Sequence, residues 1–245
     1  RPEHPRPAQR LAGMTASSTR LSEIFGRPRA VFPVVHCCDA TQAREAAELA
    51  RSCGADGVFF INQGGLLARA VAELAHDFAV EHPDFWVGVN LLGFDPHFVL
   101  GAVLAKPGVR MIWCNEALRE PWLGAAQGWD GLLFSGCAFK GQTLIPPDMW
   151  GSAALTAVRL GADVVTTSGP RTGVAADPAK PQAMRAAIGD HPLALASGIT
   201  PNNVGAFLPS TDAYLVATGI EESFGRFDEA QLRRLVGAIH GYQPG

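Results

Sequence analysis

The sequence predicts an α/β fold, a single-domain (β/α)₈ TIM barrel, and three observations support this prediction. Eight short β-rich runs alternate with stretches in which apolar residues recur at helical spacing. Most of the eight runs are continuously apolar, which is typical of parallel strands covered by helices. A weak repeat, with Gly-Ala-Asp-Gly at 54–57, Gly-Trp-Asp-Gly at 128–131 and Gly-Ala-Asp-Val at 161–164, marks the start of three of them.

Each element can be placed from these patterns. The helical stretches include 41–52, 66–76 and 180–188. In the repeat, Gly closes the preceding helix, and Asp bonds to backbone amides at the strand N-terminus, a position that indicates stability rather than function. An open doubly wound sheet is the alternative, but no Gly-x-Gly-x-x-Gly follows the first strand. We predict strands at 30–36, 57–62, 86–91, 110–115, 131–134, 164–167, 193–196 and 213–217.

Composition limits the domain organisation and the class of protein. Residues 1–22, rich in Pro, Arg, Ser and Ala, are predicted to be a disordered tail or an expression remnant, and 23–245 to be the barrel domain. The net charge of -3 argues against nucleic acid as a partner. No apolar run reaches the roughly 18 residues of a membrane span. Five cysteines without Cys-x-x-Cys spacing and scattered histidines suggest neither disulfides nor a metal site. We therefore expect a cytoplasmic, metal-independent protein without a cofactor. The sequence does not determine its oligomeric state, and a homo-oligomer is one alternative.

In such a barrel the active site lies at the C-terminal ends of the strands, and three ionisable residues follow strands there. His36 ends the first strand and is a candidate general acid or base. Lys140, after the fifth strand, is a candidate partner for a phosphate or carboxylate, or a Schiff-base nucleophile. Glu116, after the fourth, is a candidate carboxylate base. Each also has a structural interpretation: a hydrogen-bonded histidine, a lysine reaching water, and a surface glutamate.

The turns after the last three strands are rich in Gly and hydroxyl residues, which is typical of phosphate sites in barrels. The alternative is that these glycines only close turns and that Arg171 lies on a solvated surface. Asparagines at the ends of strands two to four suit sugar hydroxyls, because an amide both donates and accepts. The candidate binding residues are Asn62, Asn90, Asn115, Ser168, Gly169, Arg171, Thr172, Gly173, Ser197, Gly198, Thr218 and Gly219.

Segments 86–92, 167–173, 196–204 and 216–219 resemble the BtpA/SgcQ family of TIM-barrel proteins, and the likeness extends over about 30–239. The Ser-Gly-x-Thr-Pro-x-Asn stretch at 197–203 is also similar to phosphate loops of thiamine phosphate synthase and phosphoribosylanthranilate isomerase. The resemblance implies a phosphate-binding barrel, and one branch of the family is linked to photosystem I biogenesis. Two loops depart from the family, since Ile61-Asn62 replaces Glu-Asn, and Cys37-Cys38-Asp39 replaces a proline-rich segment. The residues that match it best are Lys140, Ser168, Gly169, Thr172, Gly173, Ser197, Gly198 and Gly219.

These observations predict an enzyme acting on a phosphorylated small molecule, either a sugar phosphate or a phosphoribosyl or nucleotide compound. Isomerase, lyase and glycosyl-transfer chemistry all fit the residues. The alternative is a non-catalytic phosphate-ligand-binding or complex-assembly factor of the BtpA type. A metal-dependent hydrolase would need clusters of ligands that the sequence does not show.

Overall fold

Eight parallel strands pair in chain order in the computed structural model, which describes residues 20–119, 122 and 129–243, and β1 pairs with β8 to close the barrel. This confirms the predicted fold. The predicted strands agree with the observed ones to within two residues at each end, and two of them agree at both ends. The strands are β1 (Ala30–His36), β2 (Gly57–Ile61), β3 (Trp86–Asn90), β4 (Val109–Cys114), β5 (Leu132–Gly136), β6 (Val164–Ser168), β7 (Leu193–Ala196) and β8 (Ala213–Val216).

Helices connect most of the strands and cover the outside of the barrel. In the helix Ala40–Ser52, Asp39 caps the first turn by accepting a hydrogen bond from Gln42 N, and alanines at helical spacing pack against the strands. A short antiparallel hairpin, β9 (Glu221–Ser223) and β10 (Arg226–Phe227), follows β8. The α-helices are α1 (Arg20–Phe25), α2 (Ala40–Ser52), α3 (Ala68–Glu81), α4 (Pro96–Leu104), α5 (Trp150–Arg159), α6 (Ala179–Ile188) and α7 (Glu229–His240), with 3₁₀ turns at Pro147–Met149 and Val204–Ala206.

The core has two layers, one inside the barrel and one between the strands and the helices. Inside, Phe32, Phe59 and Phe134 contact one another edge to face with centroids 5.2 to 5.9 Å apart. Because successive side chains of a strand point to opposite faces, both layers take residues from every strand. The continuous apolar runs of the sequence follow from this double burial.

Helix α1 closes the N-terminal end of the barrel. Leu21 is buried, and Phe25 packs edge-on against Phe32 and Trp86. Helix α1 therefore spans the boundary predicted after residue 22, and these two side chains cover the open end of the inner core. The rest of the predicted tail, residues 1–19, lies outside the described residues.

Aspartates at the N-terminal ends of strands bond to the backbone of a neighbouring strand. Asp56 Oδ2 accepts from Val31 N at 2.8 Å, and Asp163 Oδ2 accepts from Leu133 N at 3.0 Å. Asp212, outside the repeat, does the same for Leu193 N at 2.8 Å. These bonds fit the structural role predicted for the aspartates of the repeat. Within the part of the chain described, no helix is long and apolar enough to cross a membrane.

Candidate active site

A cavity of about 380 Å³ opens at the C-terminal ends of the strands. Its floor is formed by apolar side chains at inward positions of β1, β2, β4 and β8, and its polar wall by the loops after β5 to β8. Lys140 and Arg171 are its two cations, and no carboxylate is among the described residues that line it. The lining comprises Val34, His36, Ile61, Gln63, Leu92, Trp113, Asn115, Lys140, Gly141, Pro170, Arg171, Thr172, Ser197, Leu215, Ala217 and Thr218.

Lys140 projects its ammonium group toward hydroxyls rather than a carboxylate. Nζ donates to Ser197 Oγ at 2.9 Å and to Thr172 Oγ1 at 3.1 Å. Its backbone N–H donates to Ser168 Oγ at 2.8 Å, which fixes the loop after β5 against the end of β6. Burial lowers the pKa of Lys140 because the charged form loses solvation. An anion placed beside the three side chains would complete this site with charge-assisted bonds.

His36 is held in one orientation by a buried carboxylate. Its Nδ1 lies 2.8 Å from Glu221 Oε1, and the two side chains are 5% and 6% exposed. The ring of Phe224 stacks on the imidazole with centroids 4.5 Å apart and an interplanar angle of 8°. The other ring nitrogen, Nε2, bonds to no described residue, and His36 lines the cavity. When Nδ1–H donates a hydrogen bond to Glu221, Nε2 is left as the basic nitrogen on the cavity side.

The hairpin β9–β10 brings Glu221 and Phe224 to His36. Gly225, at φ +79°, forms the turn, and its N–H donates to Glu221 Oε1 at 3.0 Å. Gln42 of α2 donates to the carbonyl of Gly225, so the hairpin is bound to the helix that follows β1. Sequence reasoning missed Glu221. A carboxylate two residues after the predicted rim residue Gly219 was the signal available.

The glycines predicted to bind phosphate lie mostly at places where two loops pack closely against each other. A Cβ on Gly198 would lie 2.1 Å from Ala175 N, and one on Gly219 would lie 1.8 Å from Ile199 O. Gly169 is packed in the same way against Val174, and these three glycines and Gly173 are absent from the cavity lining. Loop packing therefore requires glycine at 169, 198 and 219.

The same loops still offer backbone donors. Among the N–H groups of the loops after β7 and β8, those of Ser197, Gly198, Thr218 and Gly219 donate to no residue in the described part of the chain. Ser197, at φ +72°, and Gly198, at φ +68°, lie consecutively in the left-handed region. Of these residues, Ser197 and Thr218 line the cavity together with Lys140, where unpaired amides are suited to an anion.

The structure does not bring all the predicted polar residues to the cavity. Asn62 is engaged by the backbone of Leu92, through bonds of 2.6 and 3.3 Å, and Asn90 is buried and donates to Asn115 Oδ1 at 3.1 Å. Of the three asparagines, Asn115 lines the cavity. Ser168 is buried beneath Lys140. Glu116 is exposed and absent from the lining.

A second lysine, not singled out in the sequence, supports the site from outside. Lys180 Nζ donates to the carbonyls of Ser168, at 2.9 Å, and of Ala138. Burial lowers its pKa as well. Ala138 has φ +47°, so Lys180 holds an unusual turn in the loop that carries Lys140. Lys180 is thus a positioning residue for that loop.

The described residues contain no metal centre, and two buried cysteines beside the barrel core are unreactive thiols. No group of three His, Cys, Asp or Glu side chains there could hold a metal ion. Burial raises the pKa of Cys37 to about 12 and that of Cys137 to about 11. These two cysteines therefore fill space as thiols.

Comparison with solved structures finds proteins of the same fold, and two of the three described next are named for phosphorylated compounds. Phosphoribosyl anthranilate isomerase from Thermus thermophilus is 20% identical, with a TM-score of 0.61 over 86% of this chain and 98% of that one. A structure described as native KDPGal is 16% identical, with a TM-score of 0.67 over 86% and 94%. (S)-3-O-geranylgeranylglyceryl phosphate synthase from Thermoplasma acidophilum, in complex with its substrate sn-glycerol-1-phosphate, is 16% identical, with a TM-score of 0.59 over 92% and 100%.

At these identities the likeness shows the fold. Neither a protein-family model nor a curated protein matches the sequence. The resemblance to BtpA/SgcQ proteins stays a prediction, whereas the TIM-barrel fold is confirmed.

Proposed function

We propose that this barrel is an enzyme acting on a phosphorylated small molecule, of the sugar phosphate or phosphoribosyl class. The observation that carries the proposal is that Lys140, which has no acidic partner among the described residues, lines the same cavity as His36, and that His36 is paired with the buried Glu221. One group supplies anion binding, and the other supplies proton transfer. Their meeting in one cavity at the C-terminal face of a barrel is the arrangement that catalysis in this fold requires.

The phosphate would be bound by the ammonium of Lys140 and the hydroxyls of Thr172 and Ser197, with Arg171 at the mouth of the cavity. His36 Nε2 would take a proton from a substrate carbon or oxygen and return it to another atom. Glu221 would stabilise the imidazolium formed in between, so that the base is His36 rather than the carboxylate predicted at Glu116. Isomerisation, carbon–carbon lysis and glycosyl transfer all include such a proton transfer.

An enzyme is favoured over a non-catalytic binding or assembly factor. Binding an anion needs Lys140 and its hydroxyls but no histidine oriented by a buried carboxylate. A polar pair of this kind is expensive to bury and is typical of acid–base sites. Barrels of the same fold named for phosphorylated compounds add support from analogy.

The first test is thermal unfolding with ribose 5-phosphate, phosphoribosyl pyrophosphate, AMP and inorganic phosphate. Ligand at about a hundred times its dissociation constant adds roughly 2.7 kcal/mol to the free energy of unfolding, so the midpoint should rise by several degrees. Lys140→Met should abolish the rise. Lys106→Met is the matched control, because Lys106 pairs with Glu73 outside the cavity. Wild-type protein that shows no shift with any phosphate compound would refute the proposal.

The second test uses pH. Because burial lowers the pKa of Lys140, its charge is lost at a lower pH than that of an ordinary lysine. Above about pH 7.5 a phosphate monoester is already a dianion, since its second pKa is about 6. Affinity for it should therefore fall as the pH rises toward 10 in the wild type and stay nearly constant in Lys140→Arg. Equal pH dependence in the two proteins would contradict binding by the Lys140 ammonium.

A further inference from the structure

We propose that the ligand of this cavity carries a compact apolar group, the size of one ring, in place of a free polyhydroxylated sugar. The inference rests on the proposed action on a phosphorylated small molecule, and within that class it favours compounds with an apolar body over simple sugar phosphates. It is drawn from the chemistry of the surfaces that a ligand held at Lys140 would meet.

The floor of the cavity is apolar. Val34, Ile61, Trp113 and Leu215 are buried side chains from four different strands, and all of them line the cavity. The only polar side-chain atom among them, Trp113 Nε1, is itself buried and bonds to no described residue. Trp113 therefore presents carbon atoms to the ligand. Hydroxyl groups placed on this floor would lose water without gaining partners, at a cost of about 1–3 kcal/mol each.

Most of the asparagines that could form hydrogen bonds with sugar hydroxyls already form them with other groups of the protein. Asn62 bonds to the backbone of Leu92, and Asn90 bonds to Asn115. The amides left on the lining are those of Gln63 and Asn115. The lining offers no carboxylate to accept bonds from hydroxyls. This set suits one or two polar substituents rather than a chain of free hydroxyls.

The charges fix the direction in which a ligand would lie. Lys140, Thr172 and Ser197 belong to the loops after β5, β6 and β7, whereas Ile61 and Leu92 belong to the opposite side, at β2 and β3. A phosphate bound at the first group places the apolar body across the floor toward the second. His36, at the end of β1, then lies beside that body. About 380 Å³ is at the small end of the range for ligand pockets, which limits the body to about one ring.

The test compares dissociation constants for four probes with the same anionic head: inorganic phosphate, glycerol 1-phosphate, ribose 5-phosphate and phenyl phosphate. We expect phenyl phosphate to bind at least about tenfold more tightly than either sugar-like ester, because only its ring gains from an apolar floor. Ala217→Leu, which adds bulk to a half-buried position of the lining, should remove this preference. Leu144→Ala, at a side chain 89% exposed and outside the lining, is the control.

The outcomes separate the two proposals. Ribose 5-phosphate binding as tightly as phenyl phosphate, or more tightly, would overturn the apolar-body inference and leave the phosphate site standing. No binding of any probe, inorganic phosphate included, would overturn the proposed function and the inference with it. Phenyl phosphate binding unchanged in Lys140→Met would also overturn the inference, because the ring would then bind without the anchored phosphate.

Discussion

His36 and Glu221 are 185 positions apart in the sequence, yet 2.8 Å separates Nδ1 from Oε1 in the fold. Two further contacts hold the pair: Phe224 stacks on the imidazole, and Gly225 N donates to the same carboxylate oxygen. Each constraint reduces the freedom of a ring whose Nε2 is left for the ligand. Glu221 is in this sense a positioning residue that acts through His36.

Glu221→Gln should lower turnover of the phosphorylated substrate by roughly 10²-fold or more, because general acid–base catalysis contributes about 10² to 10⁴. The amide can donate to Nδ1, which would move the ring proton to Nε2 and remove the basic nitrogen from the cavity. The ¹⁵N chemical shifts of His36 report this change of tautomer directly, without a substrate. The dissociation constant for inorganic phosphate should stay within about twofold.

Glu222→Gln provides the control, since the neighbouring glutamate is exposed and pairs with Arg226 at 3.8 Å on the surface. It should leave both turnover and the His36 shifts unchanged. A Glu221→Gln protein with wild-type turnover and unchanged shifts would rule out Glu221 as the group that orients His36.

Among the elements, the loops after β6, β7 and β8 form one packed unit. Gly198 is in contact with the backbone of Val174 and Ala175, and Gly219 is in contact with Ile199. The three loops therefore approach one another as backbone, which brings Arg171, Thr172, Ser197 and Thr218 to one wall of the cavity. A change in one loop is expected to displace the others.

Gly198→Ala tests this packing. Its φ of +68° disfavours a side chain, and the added Cβ would lie 2.1 Å from Ala175 N. Together, left-handed strain and overpacking should lower the free energy of unfolding by about 2–4 kcal/mol, as measured by urea denaturation. Phosphate affinity should fall as well. Gly205→Ala, in the same connection but with nothing within 4 Å of its Cβ, should cost no stability. Equal stability of the two variants would show that the loops are not packed in this way.

The strands could be predicted because a strand that is buried on both faces needs a continuous run of apolar residues. The place of His36 and Lys140 at the cavity could also be predicted, because the C-terminal ends of the strands meet at one rim of the barrel. Glu221 was not, because it reaches His36 through a hairpin whose turn and register depend on tertiary contacts such as that of Gln42 with Gly225. The hydrogen bonds that Asn62 and Asn90 make within the protein could not be predicted either, because position at a strand end does not show whether an amide already has a partner.

At the scale of the whole molecule, the two ends of the barrel have different tasks. The N-terminal end is covered by α1 and fastened by buried aspartates that accept from neighbouring strands. The C-terminal end holds the partly buried ammonium of Lys140 without an acidic partner in the described chain, together with unpaired backbone amides. Groups of the first kind stabilise the fold, whereas groups of the second kind cost stability until a ligand binds.

Asp56→Ala should therefore separate stability from binding. Asp56 Oδ2 accepts from Val31 N, and His240 Nε2 lies 2.9 Å from the same oxygen, so its loss leaves buried donors unpaired. We expect a loss of about 1–3 kcal/mol in the free energy of unfolding and a phosphate affinity within about twofold of wild type. Lys140→Met should do the reverse, abolishing binding at no cost in stability, because a desolvated charge is removed. Asp84→Ala, at an exposed position just before β3, controls for the loss of a carboxylate at the same end of the barrel. A large fall in affinity in Asp56→Ala at temperatures where it is fully folded would mean that the two ends are coupled through the barrel.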